Sequence, residues 1–390
     1  MTAIELRSRR EAPADKGGPR MFLAIATGQA VANLPPLLHL AQPGDEVLWL
    51  WTTEQTPASA EVLIPLLQAS LGLRSTVYPR PIPSALTDLS AWWAAEWPGP
   101  VLRQRAVTLV ANGGTKPLFL ALVQAIGPTA LQEVVYAQGQ PVDVVRLPQG
   151  LATRSWCESF GGIAVTLEQV LACSGYEVFN RDPTKLGVRL WADGAVKRPL
   201  CEPLPAFLRP DAFTSAWGDG SVMTPKQRGD AFERAVAHRC LDLIQQRPAW
   251  HTIVSELWLG VNVVRSHRPE LPAADWDVLM VLRNGVLIYM ECKTGQAPKP
   301  VLDASWQKLR DGSSSLATMW VCSPLPSALA WEDGWFKRLH SLRDEAAWLG
   351  RPHLAWTLPD QPSEYGFGGR RYRVPSFEAQ FDELMAPYLP

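Results

Sequence analysis

The chain has few of the features that mark the common classes of secreted, membrane or nucleic-acid-coating protein. Its 390 residues carry 37 basic and 38 acidic side chains, so no global positive field attracts nucleic acid. The six cysteines form no CxxC pair and no zinc-like cluster with histidine, which favours reduced thiols in a cytoplasmic protein. No uncharged apolar run reaches transmembrane length, which argues against a membrane partner. Any nucleic-acid contact must therefore be local.

The first 20 residues differ in composition from the strand-like segment that begins at Met21. The first 20 residues are rich in arginine, proline and glycine and lack the hydrophobic segment of a signal peptide, so we expect a disordered tail. Met21 directly precedes the first strand pattern and is a candidate start of the native chain.

From residue 21 onward, short β-rich runs alternate with helical segments. The predicted strands are 22–26, 47–51, 75–78, 106–110 and 133–137, and the predicted helices between them are 33–40, 58–70, 86–97 and 117–126. Strict alternation predicts a doubly wound parallel sheet whose ligand crevice lies beyond the carboxyl ends of the strands.

Polar residues and glycines follow three of these strands. They are Thr27, Gly28, Gln29 and Asn33 after the first strand, Thr52 and Thr53 after the second, and Asn112, Gly113, Gly114, Thr115 and Lys116 after the fourth. Paired glycines let backbone N–H groups approach an anion at a helix start, where Thr115 offers a hydrogen bond and Lys116 a positive charge. We predict a phosphate cradle; the alternative is a tight strand-to-helix turn capped by Thr115. Neither a Walker loop nor a GxGxxG fingerprint occurs, and the second absence argues against a dehydrogenase.

The most informative segment is 277–293, DVLMVLRNGVLIYMECK. Two apolar runs, 278–282 and 286–290, flank an Arg-Asn-Gly turn at 283–285, and Asn-Gly is the strongest short-range indication of a β-hairpin. Both faces of both runs are apolar, so we expect the sheet to be covered on each side. Charges retained in such a hairpin indicate a use for them. The alternative is an edge hairpin with a solvated aspartate and a surface Glu-Lys pair.

The length of the turn decides whether the charges meet. A two-residue loop would pair Asp277 with Cys292 and put Asp277 on the face opposite Glu291 and Lys293. A three-residue loop closed by Gly285 in the left-handed conformation pairs Asp277 with Glu291 on one face, with Lys293 two residues further along it. We predict the second register.

Two carboxylates held side by side repel each other unless a cation lies between them. Oxygen ligands suit Mg²⁺ or Mn²⁺, and a neighbouring lysine positions an attacking water or offsets charge on a phosphate. The hairpin therefore predicts a metal-dependent site built on Asp277, Glu291 and Lys293.

A third acid comes from the preceding helix. Residues 224–227, TPKQ, form a capping-box start with proline at the first helical position. The apolar stripe then runs through Phe232, Val236, Cys240 and Leu243. At ~100° per residue from Phe232, Glu233 falls at about 100°, between Cys240 at about 80° and Ile244 at about 120°. Glu233 therefore faces the site, or else reaches water from its rim.

This order of elements, helix Glu, strand Asp and then Glu-x-Lys, resembles the PD-(D/E)XK nuclease superfamily. Glu233, Asp277, Glu291 and Lys293 stand at the motif positions, and residues 291–295 are similar to the ECKTG form found in one group of these nucleases. The resemblance implies that all four residues are catalytic.

The same resemblance implies a metal-ligand set of Asp277, Glu291 and the backbone carbonyl of Cys292, assisted by Gln307 or Lys308 on the next helix. Trp276 precedes Asp277 where related sequences often have a small acidic-apolar pair, so Asp275 is an alternative to Asp277 for the ligand role.

The N-terminal half resembles a second family. The segment QxxxNLxP at 29–36 and NGGTK at 112–116 are similar to motifs of the CARF domain, the CRISPR-associated Rossmann-fold sensor of cyclic oligoadenylates. A CARF domain joined to an ECKTG-type nuclease resembles the ancillary effector nucleases of type III CRISPR systems. By that resemblance the protein is a homodimer that binds a cyclic oligoadenylate, with cyclic tetra-adenylate the first candidate, across its dyad.

The expected fold is therefore α/β throughout: an N-terminal Rossmann-like doubly wound sheet and a C-terminal restriction-endonuclease-like α/β domain. We divide the chain into a tail (1–20), the sensor (21–150), a connector with small elements (151–220) and the nuclease (221–390). Further predicted elements are helices at 166–173, 304–310, 335–348 and 378–388 and strands at 186–191, 319–322 and 354–358. The expected function is ligand-activated, metal-dependent cleavage of DNA, RNA or both in antiviral defence. The alternatives are a constitutive repair or restriction nuclease and a non-catalytic nucleotide-sensing regulator.

Overall fold

The computed structural model describes residues 19–26, 30–53, 57–96, 105–139, 143–148, 156–160, 163–179, 187–197, 224–293, 299–313, 317–324, 351–356, 363–367 and 370–389. Most of the predicted tail and the predicted helix at 335–348 lie outside the described residues.

The first sheet is mainly parallel and doubly wound, as predicted. Its strands are β1 (Met21–Ile25), β2 (Glu46–Leu50), β3 (Arg74–Val77), β4 (Val107–Val110), β5 (Leu131–Ala137), β6 (Asp143–Pro148) and β7 (Trp156–Ser159), in the order β3-β2-β1-β4-β5-β6-β7. Its helices are a short 3-10 helix (Ala30–Asn33), α1 (Leu34–Leu40), α2 (Ala58–Leu71), α3 (Leu86–Glu96) and α4 (Lys116–Ala130). Every residue of the central strands β1 and β4 is buried, because helices cover both faces.

Strand β6 pairs antiparallel with β5 and β7 pairs antiparallel with β6, and the sequence analysis predicted neither strand. The ion pair between Arg146 and Glu133, 2.9 Å from Nε to Oε2, helps to hold β6 against β5. The two residues lie on different strands, 13 residues apart in the sequence, so the local pattern of β6 alone did not reveal the contact.

The second sheet combines an antiparallel meander with two parallel strands. Its members are β8 (Tyr176–Val178), β9 (Val188–Ala192), β10 (Ala195–Val196), β11 (Val254–Arg265), β12 (Arg268–Leu282), β13 (Leu287–Cys292), β14 (Ala317–Pro324) and β15 (His353–Trp356). The order is β10-β9-β11-β12-β13-β14-β15, with β8 pairing with β11. The helices are α5 (Leu167–Cys173), α6 (Pro225–Gln246), α7 (Pro248–His251), α8 (Lys299–Ser313) and α9 (Phe377–Met385), and β16 (Ser363–Phe367) pairs with β17 (Arg370–Val374).

The segment predicted as a connector supplies strands to both sheets. Strand β7 belongs to the first sheet, and β8, β9 and β10 belong to the second. Helix α5 docks on the second sheet through Glu256, which is buried on β11 and accepts the Leu167 N–H at 2.8 Å and the Trp258 indole N–H at 3.0 Å. Burial raises the pKa of Glu256, because the two N–H donors and Arg189 only partly offset the loss of water.

Helix α6 begins as the sequence predicts. Thr224 and Gln227 form a reciprocal capping box, and Pro225 occupies the first helical position. The predicted stripe of Phe232, Val236, Cys240 and Leu243 is buried, which fixes the rotation of α6 on the second sheet.

One continuous hydrophobic core serves both sheets. It includes Phe22 and Val31 from the N-terminal half, Val165 ahead of α5, and Val286 and Leu287 from the second sheet. In the part of the chain that the structure describes, no helix combines the length and apolar character that crossing a membrane requires.

Candidate functional site

Strands β12 and β13 form the predicted hairpin in the predicted register. Val278 lies opposite Met290 and Val281 opposite Leu287, so continuing the ladder places Asp277 opposite Glu291. Gly285 has a φ of 82°, and its N–H donates to the Leu282 carbonyl at 2.8 Å. The three-residue turn is therefore confirmed, and the left-handed glycine closes it.

The hairpin brings the two acids and the lysine together. The Cys292 N–H donates to Asp277 Oδ2 at 2.7 Å, and Lys293 Nζ lies 4.0 Å from the same oxygen and within hydrogen-bond distance of Glu291 Oε1. The Glu291 side chain is only 3% exposed, against 15% for Asp277 and 26% for Lys293. The site therefore opens to solvent on the Lys293 side.

A residue that the sequence analysis did not select, Tyr289, also belongs to the site. Its buried phenol donates a hydrogen bond to Glu291 Oε2. The spacing of two residues on one strand was the available clue, because it places Tyr289 and Glu291 on the same face. Burial, followed by the charges of Asp277 and Glu291, raises the pKa of Tyr289 well above its usual range, so the phenol stays protonated and can donate.

Glu233 on α6 is half-buried, and its pKa is affected by the charges of the hairpin residues. Burial raises the pKa of Glu233 to about 7, aided by Asp230 and Asp275 and opposed by Lys293. Burial, followed by the charges of Glu291 and Glu233, also raises the pKa of Asp277 well above its usual range, although Lys293 and the Cys292 N–H oppose this. Glu233 therefore lies close enough to Asp277, Glu291 and Lys293 for their charges to act on one another.

Lys293 compensates only part of this negative charge. Burial works against its charged form, yet Glu291 and Asp277 outweigh that cost and raise the pKa of Lys293. One ammonium group therefore faces three carboxyl groups, an arrangement that a bound cation would stabilise.

The donor atoms suit a hard divalent cation, because Asp277 and Glu291 present carboxylate oxygens from adjacent strands. Within the described residues, no group of three or more His, Cys, Asp or Glu side chains is arranged to hold a metal ion. In this arrangement Lys293 and Tyr289 already occupy the Glu291 oxygens, so a metal would share them.

The structure also locates the residues named as possible substitutes or assistants. Asp275 is exposed on β12, whereas Asp277 is the residue that contacts Cys292 and Lys293. Gln307 and Lys308 are exposed on α8, a helix whose Leu302 and Leu309 are buried.

At the first sheet, the carboxyl ends of β2, β1 and β4 lie side by side, and the described candidate ligand residues follow them. Thr27, Gly28 and Gln29 lie outside the described residues. Thr52 is buried and bridges to Ile82, and Thr53 is exposed. Asn33 is fully buried and donates to the Ile25 carbonyl at 2.9 Å, which ties the 3-10 helix to the end of β1.

The NGGTK segment has a larger structural part than we predicted. Asn112 exchanges two hydrogen bonds with the Ala137 backbone, each 2.8 Å, and thereby fastens the end of β4 to the end of β5. Thr115 accepts the Leu118 N–H at 3.4 Å and caps α4. Gly114 has a φ of 79°, and Lys116 is exposed at the first position of α4. The capped turn that we considered as the alternative is present, and the helix start with its lysine remains open to an anion.

No protein-family model and no curated protein sequence matches the chain. Solved structures do match it. Protein VC1899 from Vibrio cholerae aligns with a TM-score of 0.59 at 16% identity, covering 86% of this chain and 94% of that one. Can2 from Sulfobacillus thermosulfidooxidans, solved in complex with cyclic tetra-adenylate, aligns with a TM-score of 0.56 at 14% identity, covering 93% and 96%.

The chain has the fold of Can2. The alignment runs through both halves, so the predicted pairing of a Rossmann-like sheet with a second α/β domain is confirmed. A type III CRISPR defence DNA nuclease activated by cyclic oligoadenylate also aligns, but its TM-score of 0.48 is too low to support an argument.

Proposed function

We propose that the protein is a metal-dependent endonuclease of type III CRISPR defence, activated by a cyclic oligoadenylate and acting as a cytoplasmic homodimer. The observation that carries the proposal is the assembly of Asp277, Glu291 and Lys293 on one face of a buried hairpin, beside Glu233. The fold shared with Can2, which was solved with cyclic tetra-adenylate, supports the choice of ligand.

In this proposal Mn²⁺ or Mg²⁺ would be held by Asp277, Glu291 and the Cys292 carbonyl, and when bound it would polarise the phosphodiester and acidify a water. Lys293 would offset the charge that develops on the phosphate. Glu233, with a pKa of about 7, is suited to accept a proton from the attacking water near neutral pH. Tyr289 holds Glu291 in one orientation.

The proposed sensor site lies at the carboxyl edge of the first sheet. Thr27, Gly28, Gln29, Asn33, Thr52, Thr53 and the residues 112–116 are its candidate members. The start of α4 offers the positive end of its helix dipole and the charge of Lys116 to a phosphate, whereas Pro117 has no N–H and the Leu118 N–H is bound by Thr115. Two such edges, one from each protomer, would bind the cyclic ligand together.

The test is a cleavage assay with Mn²⁺ on supercoiled plasmid and on single-stranded RNA, with and without cyclic tetra-adenylate or cyclic hexa-adenylate. We expect cleavage of at least one substrate, stimulation by one ligand, and loss of cleavage in Asp277→Ala and Glu291→Ala. Glu61→Ala, an exposed change on α2, is the matched control. Analytical ultracentrifugation of the same samples tests the homodimer.

The outcomes separate the alternatives. Cleavage that no ligand alters would favour the constitutive nuclease. Ligand binding without cleavage of any substrate would favour the non-catalytic regulator. Cleavage that survives both substitutions would remove the hairpin from the mechanism.

A further inference from the structure

The turn of the catalytic hairpin is buried against the N-terminal half of the chain. Asn284, at the tip of the turn, is 3% exposed, and its Nδ2 donates to the Gln138 carbonyl at 2.7 Å. Its Oδ1 accepts the Val286 N–H at 3.3 Å, so one side chain shapes the turn and also binds the end of β5. A solvent-exposed hairpin turn would need no such partner.

Gly285 packs beside Asn284 at the same junction. A Cβ atom at Gly285 would lie 3.3 Å from Val165 Cγ1 and 3.4 Å from Val31 Cγ2. The Val165 N–H also donates to the Arg283 carbonyl at 3.1 Å. The whole turn, residues 283–285, is therefore held between Val31, the end of β5 and Val165.

Both contacts lead to residues of the proposed ligand site. Val31 lies in the 3-10 helix that ends at Asn33. Gln138 directly follows Ala137, the residue whose backbone is fastened to the Asn112 side chain by two hydrogen bonds. A ligand that moved the 3-10 helix after β1 or the segment after β4 would therefore act on the turn of the hairpin.

The other end of the hairpin carries the acids. Strand β13 starts at Leu287 beside the turn and reaches Glu291 near its far end. Asp277 lies opposite Glu291 on β12. Six residues of strand span roughly 20 Å, and both strands have a hydrogen-bonded neighbour on each side. A paired, buried strand transmits a displacement along its length, because its interior packing leaves little room to deform.

We propose that Asn284 and Gly285 are positioning residues, through which occupancy of the ligand site sets the placement of Asp277 and Glu291. The inference rests on the proposed function and names the contact by which activation reaches the site. The ligand needs only to prefer one of two arrangements of the turn against Val31 and Gln138.

Asn284→Asp gives the sharpest test, because it keeps the acceptor for the Val286 N–H and replaces the donor to Gln138 by a buried carboxylate oxygen that repels the Gln138 carbonyl. Ser70→Ala is the matched control. It removes a different hydrogen bond, in which Gln169 Nε2 on α5 donates to Ser70 Oγ on α2 at 3.2 Å, away from the hairpin. For each protein we would measure cleavage with and without cyclic tetra-adenylate or cyclic hexa-adenylate, ligand binding by calorimetry, and hydrogen exchange of the β13 amides. Thermal melting verifies that each variant is folded.

We expect the ratio of stimulated to basal cleavage to fall at least about 10-fold in Asn284→Asp and to change less than about 2-fold in Ser70→Ala. In Asn284→Asp, the ligand should also no longer change the hydrogen exchange of the β13 amides. If the wild-type protein is stimulated and Asn284→Asp is stimulated equally, the inference fails while the proposed function stands. If the wild-type protein cleaves but responds to neither ligand, in rate or in exchange, activation fails and this inference fails with it.

Discussion

Tyr289 donates its phenolic hydrogen to Glu291, the residue two positions further along the same face of β13. The phenol is buried and the carboxylate is nearly so, and Lys293 binds the opposite oxygen of the same carboxylate. Glu291 is therefore held from two sides, and its orientation does not depend on a metal ion.

Replacing this phenol should weaken metal binding. In Tyr289→Phe the ring still fits, but Glu291 loses one of the two groups that orient it. Loss of such a supporting hydrogen bond commonly costs about 10–100-fold in metal affinity or activity. We expect the Mn²⁺ concentration for half-maximal cleavage to rise by roughly that factor, with partial recovery at high Mn²⁺. Tyr136→Phe, an exposed change on β5, is the control; an identical Mn²⁺ dependence in both variants would contradict the role.

The two aspartates near the start of the hairpin should differ in importance. Asp277 contacts the Cys292 N–H and Lys293, whereas Asp275 is exposed two residues earlier on β12. We expect Asp277→Asn to lower the cleavage rate at least about 100-fold, as removal of a group at a reacting centre does, and Asp275→Asn to lower it only a few-fold. Single-turnover rates at saturating Mn²⁺ measure this. A larger loss in Asp275→Asn would transfer the ligand role to Asp275.

The pH dependence of stability reports on Glu233. Its folded pKa of about 7 lies above the ordinary value of 4.5, so the folded state binds a proton that the unfolded state has already released. The stabilising contribution is full below about pH 4.5 and is lost as pH rises through 7. We expect the free energy of unfolding of the metal-free protein to fall across that window, as measured by urea titration with a chelator.

The matching variant removes the titrating group. Glu233→Gln should flatten part of the fall, leaving the part that Asp277 contributes, since the pKa of Asp277 is also raised. Glu61→Gln on α2 should leave the profile unchanged. Parallel profiles for wild-type protein and Glu233→Gln would show that Glu233 faces water.

Gly114 combines a left-handed backbone conformation with a close contact. Its φ of 79° disfavours any side chain, and a Cβ atom would lie 2.8 Å from Ile25 Cδ1. Gly44 has a φ of 95° but open space around it, so Gly44→Ala isolates the backbone effect, which we expect to be about 1 kcal/mol. Gly114→Ala should lower the free energy of unfolding further and weaken binding of cyclic oligoadenylate. Denaturant unfolding and calorimetry test both; equal destabilisation with unchanged binding would remove Gly114 from the sensor site.

The features predictable from sequence are those that local geometry decides. The register of the hairpin follows from Asn284-Gly285, because the turn length sets which residues face each other. The partial burial of Glu233 follows from its angle relative to Phe232, and the start of α6 follows from its capping box. These depend on neighbours a few residues away.

The features that escaped prediction depend on partners far along the chain. Asn112 belongs to a segment with the composition of a phosphate-binding loop, yet its side chain binds the backbone of Ala137, 25 residues later. Asn284 reads as a turn residue, yet it binds Gln138, 146 residues earlier. Polar side chains in loops have similar local patterns whether they bind a ligand or another strand, so only the packed structure separates the two uses.

The shared hydrophobic core should couple the unfolding of the two halves. Val31, Val165 and Val286 lie in a single buried cluster, so separating the halves would expose apolar surface on each. The chain should melt in one calorimetric transition, and either half expressed alone should aggregate. A substitution that destabilises one half would then lower the fraction of fully folded protein. Cleavage activity has to be normalised to that folded fraction before a loss is attributed to impaired activation by the ligand.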